Sequence, residues 1–240
     1  FDRSDNFTFS NLISGTGRLT KDGTGTMTLA GATTYTGGTA VSRGTLRLGA
    51  SDRLVSTGSL FIFGGATFDL NNFSQTVGSF SGPGTAAIGT GSLTVGNNID
   101  RTFQGNLTGS GAFIKQGTSA LTMSGNSSTY TGSTTINDGA LIVTGNLSNS
   151  ATTANTGGTL GGTGTVGATT INGTIAPGLA GAIGTLNVNG TYTQAANSFY
   201  NVNLNAVGGP GSSDLVNVTG AANINGGTVR VTAAVGSYNP

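Results

Sequence analysis

The segment KDGTGTMTLAGATTYTGGTAVSRGTLRL, Lys21 to Leu48, returns later in the chain as KQGTSALTMSGNSSTYTGSTTINDGALIV, Lys115 to Val143. Before the second tyrosine the copies align at an offset of 94 (Lys115 minus Lys21), and after it at 95 (Tyr130 minus Tyr35), so one residue is inserted within Asn126 to Thr129. Upstream, TFSNLISGTG (Thr8 to Gly17) faces TFQGNLTGSG (Thr102 to Gly111), and the paired units run over 15–49 and 109–144. Self-similarity of this kind belongs to stacked, quasi-one-dimensional folds, in which each unit packs only on its neighbours.

Within each copy the apolar residues are two apart. Met27 and Leu29 match Leu121 and Met123, while Leu46 and Leu48 match Leu141 and Val143, with threonine or another residue between them. A period of two is a strand with one face inward. The runs are short and end in Gly, Asn, Asp or Ser, so each strand is followed by a bend. Gly23/Gly117, Gly31/Gly125, Gly37/Gly132 and Gly44/Gly139 recur at matching places, where the backbone is expected to take a positive φ or to pass close to a neighbour. The expected fold is therefore all-β: a parallel β-helix (β-solenoid), right-handed by the general preference of parallel crossovers. It should form an elongated rod of about ten to twelve rungs, roughly 50 to 60 Å long at ~4.8 Å per rung.

Composition fits that architecture and excludes others. Glycine makes up 44 of 240 residues without a Gly-X-Y period, and 35% of the chain is apolar, which sets aside both collagen and a disordered low-complexity tract. Glycine and the shortage of strong helix formers make long helices improbable. There is no cysteine and no histidine, and all eight acids are aspartate, so thiolate metal sites and Ser-His-Asp or Cys-His catalysis have no residues to use. A formal charge of +1 gives no electrostatic case for nucleic acid or anionic lipid. No window approaches the ~20 apolar residues of a membrane-spanning helix.

The pattern G-x-G-x-L-x-K-x-G, L-x-L-x-G, Y-T-G-x-T, G-x-L in both copies resembles the passenger-associated transport repeat of Gram-negative autotransporters (type V secretion). Further on, GGTLGGTGTVGATTINGTIAPG (Gly157 to Gly178), GTLNVNGTYTQAANSFYNVNLN (Gly184 to Asn205) and SDLVNVTGAANINGGTVRV (Ser213 to Val231) are similar to the C-terminal part of such passengers, beside the autochaperone region. The resemblance covers nearly the whole chain. It implies one continuous passenger fragment over 1–240, with 184–240 bordering an autochaperone-like region. It implies an extracellular protein, displayed on the bacterial surface through an outer-membrane β-barrel expected elsewhere in the full-length protein, or secreted. The implied role is an adhesin or adhesin stalk active in virulence, with host cell-surface or extracellular-matrix components, or further copies of itself, as partners. The lack of cysteine agrees, since periplasmic disulfides would hinder an unfolded passenger during export.

The search for chemistry leaves no catalytic, cofactor-binding or metal residues to name. GTGTVG (Gly162 to Gly167) meets G-x-G-x-x-G, but no helix follows to receive a phosphate. Lys21 and Lys115 are the only candidates for a Ser-Lys dyad, and their equivalence in the two copies favours a solvated structural role. A carbohydrate-binding or polysaccharide-cleaving β-helix enzyme is the alternative; cleavage needs clustered carboxylates, and these aspartates are isolated in sequence, although stacked rungs could bring two together. Asn146 to Asn155 is polar and reads as a protruding loop. LFIF (Leu60 to Phe63) is apolar on both sides, so either a loop covers its outer face or a partner binds there. The alternation over Thr191 to Val207 gives a half-exposed strand with a polar asparagine face. The candidate partner surface is thus Phe61 and Phe63 together with Asn201, Asn203 and Asn205. Finally, Thr191 to Val231 is expected to bury more apolar area per rung than Gly157 to Gly178, and so to fold first.

Overall fold

Strands of three to five residues with one apolar row each cannot form a core singly, but stacked in register their inward rows merge. In the computed structural model they do so as a parallel β-solenoid with three faces, and the structure describes residues 1–96, 99–178, 181–205 and 212–233. The first face starts at Phe7–Phe9, Thr26–Leu29 and Thr45–Leu48 and runs to Asn106–Gly109. It continues through the bridge Asn126↔Asn146 to Thr165–Val166, Thr185–Val188 and Leu215–Val218. The second face includes Ser74–Val77, Ser92–Gly96, Ala112–Gln116, Thr169–Ile171, Tyr192–Gln194 and Ala222–Ile224. The third runs from Leu19–Lys21 through Thr39–Val41, Ser59–Ile62, Ser79–Ser81, Arg101–Phe103 and Ala120–Met123 to Thr228–Ala233. The long strands Thr134–Val143 and Thr152–Gly162 pass round the corner from the second face to the third, with an irregularity between Ile136 and Asp138. Ten successive pairings carry the third face from one end to the other, which at ~4.8 Å each makes a rod roughly 50 Å long.

The sequence repeat and the coil have different lengths. Pairings such as Leu19↔Thr39 set a coil of about 20 residues, so an offset of 94 falls about a third of a coil short of five coils. The second copy is accordingly turned by one face. Lys21 lies on the third face and Lys115 on the second; Met27 and Leu29 lie on the first, Leu121 and Met123 on the third. What the two copies share is therefore which residues point inward and which make corners, while their outer surfaces look in different directions.

The inward rows are those expected. Leu29, Leu46 and Leu141 are fully buried and Met123 is 3% exposed, as are their stacking partners Leu48, Leu121 and Val143 within the same core. Leu46→Ala and Leu141→Ala should each lose roughly 2 to 4 kcal/mol, from lost burial and the cavity left behind. Chemical denaturation checks this, and a loss under ~1 kcal/mol at both sites would contradict the register. Of the matched glycines, Gly44 and Gly139 both take positive φ, 62° and 65°, whereas Gly117 does so (81°) and its counterpart Gly23 does not.

Two expectations fail. Asn146 to Asn155 is wound into the rod instead of protruding: Leu147, Ser150, Thr152 and Ala154 face inward and are buried. Small hydroxyl residues fill the interior there, with Thr134 Oγ1 and Ser150 Oγ 2.7 Å apart, so a polar sequence still makes a core. The C-terminal strands, in turn, do not bury more than Gly157 to Gly178. Leu160, Val166, Ile171 and Ile175 are fully buried, whereas Leu215, Ile224, Val229 and Val231 are 52%, 64%, 61% and 57% exposed. The reason is stacking: burial of an inward row needs a coil on both sides, and among the described residues none lies beyond Leu215–Val218, Ala222–Ile224 and Thr228–Ala233. Hydrogen exchange should consequently be fastest in the first and last described coils and slowest in the middle ones. The opposite order would show that the terminal coils are covered in solution. Ala206, Val207 and most of the loop expected at Gly208 to Ser213 lie outside the described residues.

Candidate partner surface

The residues shared by the two copies are structural. Lys21 and Lys115, expected at solvated positions, are both completely buried. Each long stem crosses its corner and sets its ammonium among main-chain oxygens: Lys21 Nζ donates to Gly23 O and to Arg43 O (3.2 Å). Lys115 Nζ donates to Gln116 O (3.1 Å), Gly117 O (2.6 Å) and Asp138 O (3.2 Å). Burial pushes both lysines below their ordinary pKa, against the pull of Asp22 and Asp2 for one and of Asp138 and Asp100 for the other. Tyr35 and Tyr130 are buried as well: the Tyr35 hydroxyl lies 2.5 Å from Thr39 Oγ1, and the single Tyr130 O–H sits between two acceptors, Gly111 O (2.8 Å) and Ser133 O (2.7 Å).

Desolvation pushes up the phenols of Tyr35, Tyr130, Tyr192 and Tyr200 from their ordinary 10.0. A raised folded-state pKa gives stability that is whole below pH 10 and is lost as the pH rises through the raised values. The two lysines act oppositely, relieving their burial penalty between their lowered values and 10.5. Four tyrosines against two lysines predict a net loss of stability above about pH 10. Unfolding midpoints that stay flat or rise above pH 10.5, where the lysines no longer contribute, would overturn this.

The aspartates are engaged locally. Asp5, Asp22 and Asp69 pair with Arg3, Arg43 and Arg47 at 2.5, 3.2 and 2.8 Å. The carboxylates of Asp52, Asp100 and Asp138 accept main-chain N–H groups of Thr76, Ala120 and Gly139. Asp214 is buried and ties two faces together, accepting from Gly184 N–H and Asn203 N–H, both at 2.8 Å. No group of three or more metal-ligating side chains occurs among the described residues.

Phe61 and Phe63 stand on the outside of the third face. Leu60 and Ile62 are fully buried beneath them, Phe61 is half-buried and Phe63 is 44% exposed, so neither a loop nor a neighbouring coil covers them. Their rings meet edge to face, with centroids 4.6 Å apart. They line a groove of about 480 Å³ with Arg18, Ser59, Ser79, Ser81 and Arg101. The two arginines come from coils below and above and were not picked out by the sequence analysis; the signal is the coil period, since Arg101 lies 40 residues, or two coils, beyond Phe61.

Asn201, Asn203 and Asn205 also belong to the third face, but seven pairings away, roughly 34 Å along the rod. The structure does not bring the two sets together. Asn201 and Asn203 are half-buried, and Asn201 Oδ1 is buried without a hydrogen-bond partner. The main chain of Asn203 holds Asp214 through both its N–H and its C=O, and Asn205 N–H donates to Ser212 O at 2.7 Å. The asparagine row is thus partly occupied by the chain itself, since the segment carrying Ser212 to Asp214 is bonded to it.

Comparison with known proteins agrees with the fold. The family model described as the passenger-associated-transport-repeat matches residues 19–48 and 113–143. The chain is 42% identical over 147 residues, 58% of its length, to a protein named "Adhesin BmaC autotransporter" from Brucella suis biovar 1 (strain 1330). It spans 4% of that relative's length. With two transport repeats wound into one parallel solenoid and an autotransporter among its relatives, this chain is a fragment of an autotransporter passenger.

Proposed function

We propose that the chain is a segment of an extracellular passenger that serves as an adhesin or as the shaft of one, displayed at the bacterial surface or secreted. The observation that carries this reading is the rotation of the repeat. Its shared residues lie in the interior and at the corners, and its two exteriors face different sides, so the repeat builds the rod and the contacts fall to residues unique to single coils. The name of the Brucella relative supports adhesion, and the partners proposed are host cell-surface or matrix components, or further copies of the rod. We also propose no enzymatic role, since the carboxylates a polysaccharide-cleaving solenoid would pair are committed to arginines and main-chain N–H groups.

The test is binding of the purified chain to cultured cells and to matrix-coated plates, beside a longer passenger. Saturable binding by this chain supports an adhesive surface within it, and binding by the longer passenger alone assigns it the shaft. If neither binds, adhesion is the wrong reading.

A further inference from the structure

The groove beneath Phe61 and Phe63 has a chemistry that names its ligand. It adjoins a second hollow of about 520 Å³, with which it shares Ser59, Ser79 and Arg101, so the two form one channel across the third face and its corner. No carboxylate lines either hollow. Among the described residues the ion pairs are those of Arg3, Arg43 and Arg47, which leaves Arg18 and Arg101 without an acidic partner. Arg101 Nη1 donates to Asp100 O at 3.3 Å, while the Asp100 carboxylate is turned to Ala120 N–H.

The strand below the rings offers no edge. Ser59–Ile62 is paired on one side with Thr39–Val41 and on the other with Ser79–Ser81, so its main-chain groups are used and an added peptide strand has nothing to bond. A ligand must be held by side chains alone: exposed rings for an apolar face, hydroxyls for hydrogen bonds, and guanidinium groups for fixed negative charge. Arg18 and Arg101 are four pairings apart, about 19 Å along the axis, too far for one small anion to meet both. Two arginines on a chain of net charge +1 are also a thin footprint for nucleic acid.

We propose that this channel binds an anionic polysaccharide, laid along the rod so that a sugar ring packs on Phe61 and Phe63 while acidic groups on separate residues meet Arg18 and Arg101. The proposal rests on the adhesive reading and supplies its ligand class. The experiment is calorimetric titration of the whole chain with a heparin oligosaccharide (sulfated), a polygalacturonate oligosaccharide (carboxylated), neutral dextran and a single-stranded oligonucleotide. Variants are Arg18→Ser/Arg101→Ser and Phe63→Ala, each first shown to melt like the parent. One or both acidic sugars should bind, and the preferred one reports whether the acid is sulfate or carboxylate. The double arginine variant should lose about tenfold or more in affinity, and Phe63→Ala severalfold. Unchanged affinity in the variants, absence of sugar binding, or equal binding of dextran or the oligonucleotide would overturn it. Cell binding that persists in the arginine variant would sink this channel alone, whereas absence of cell binding by the parent and the longer passenger tells against adhesion itself.

Discussion

Gly125→Ala is expected to destabilise the rod by roughly 3 kcal/mol or more, whereas Gly17→Ala should change it by less than about 0.5 kcal/mol. The two substitutions add the same methyl group. At one corner of the solenoid, glycines of successive coils lie directly on one another. A Cβ on Gly105 would sit 1.7 Å from Gly84 O, one on Gly125 1.8 Å from Gly105 O, and one on Gly145 2.1 Å from Gly125 O. The obstructing atoms are main chain, held in the parallel ladders, so relief requires two coils to separate, and a stack transmits such a gap to the core on either side. Around Gly17 nothing lies within 4 Å. Urea midpoints of the two variants decide it, and equal losses would show that the corners can open.

Lys115→Met should cost about 3 kcal/mol, with Lys21→Met close behind. Two effects compete. Burying an ammonium is expensive, and replacing a buried charge by an apolar side chain of similar length is often neutral or favourable. Here, however, the partners are the main-chain oxygens of Gln116, Gly117 and Asp138, which cannot leave the corner and lose their donor in the variant. Removing only the donor leaves acceptors unsatisfied at about 1 to 3 kcal/mol each before any relaxation, which outweighs the recovered desolvation. Thermal unfolding is the measurement. A variant as stable as the parent would mean that water reaches the corner and replaces the ammonium.

The fold was legible because its determinants are local. Alternation at Met27/Leu29 and Leu121/Met123 fixes which side of a strand is inward, and the glycines between them fix where the chain bends; both survive transfer to any face of the rod. The candidate surface was legible only in part. Phe61 and Phe63 stood out as apolar residues on the wrong side of a buried strand, and they are indeed outside.

What the sequence by itself determined was a parallel solenoid and its inward row, since these depend on a period of two and on residues within a few positions of each other. What only the tertiary structure decided depends on the length of a coil. Stacking at about 20 residues per turn sets the second repeat one face away from the first and brings Arg18 and Arg101 to Phe61 and Phe63. It also closes corners over Lys21 and Lys115 with carbonyls from the next coil, Arg43 O and Asp138 O, 22 and 23 residues on. Those partners share no local pattern with the residues they meet. Because each coil closes with its own number of residues, only the assembled stack fixes which side chains lie above one another.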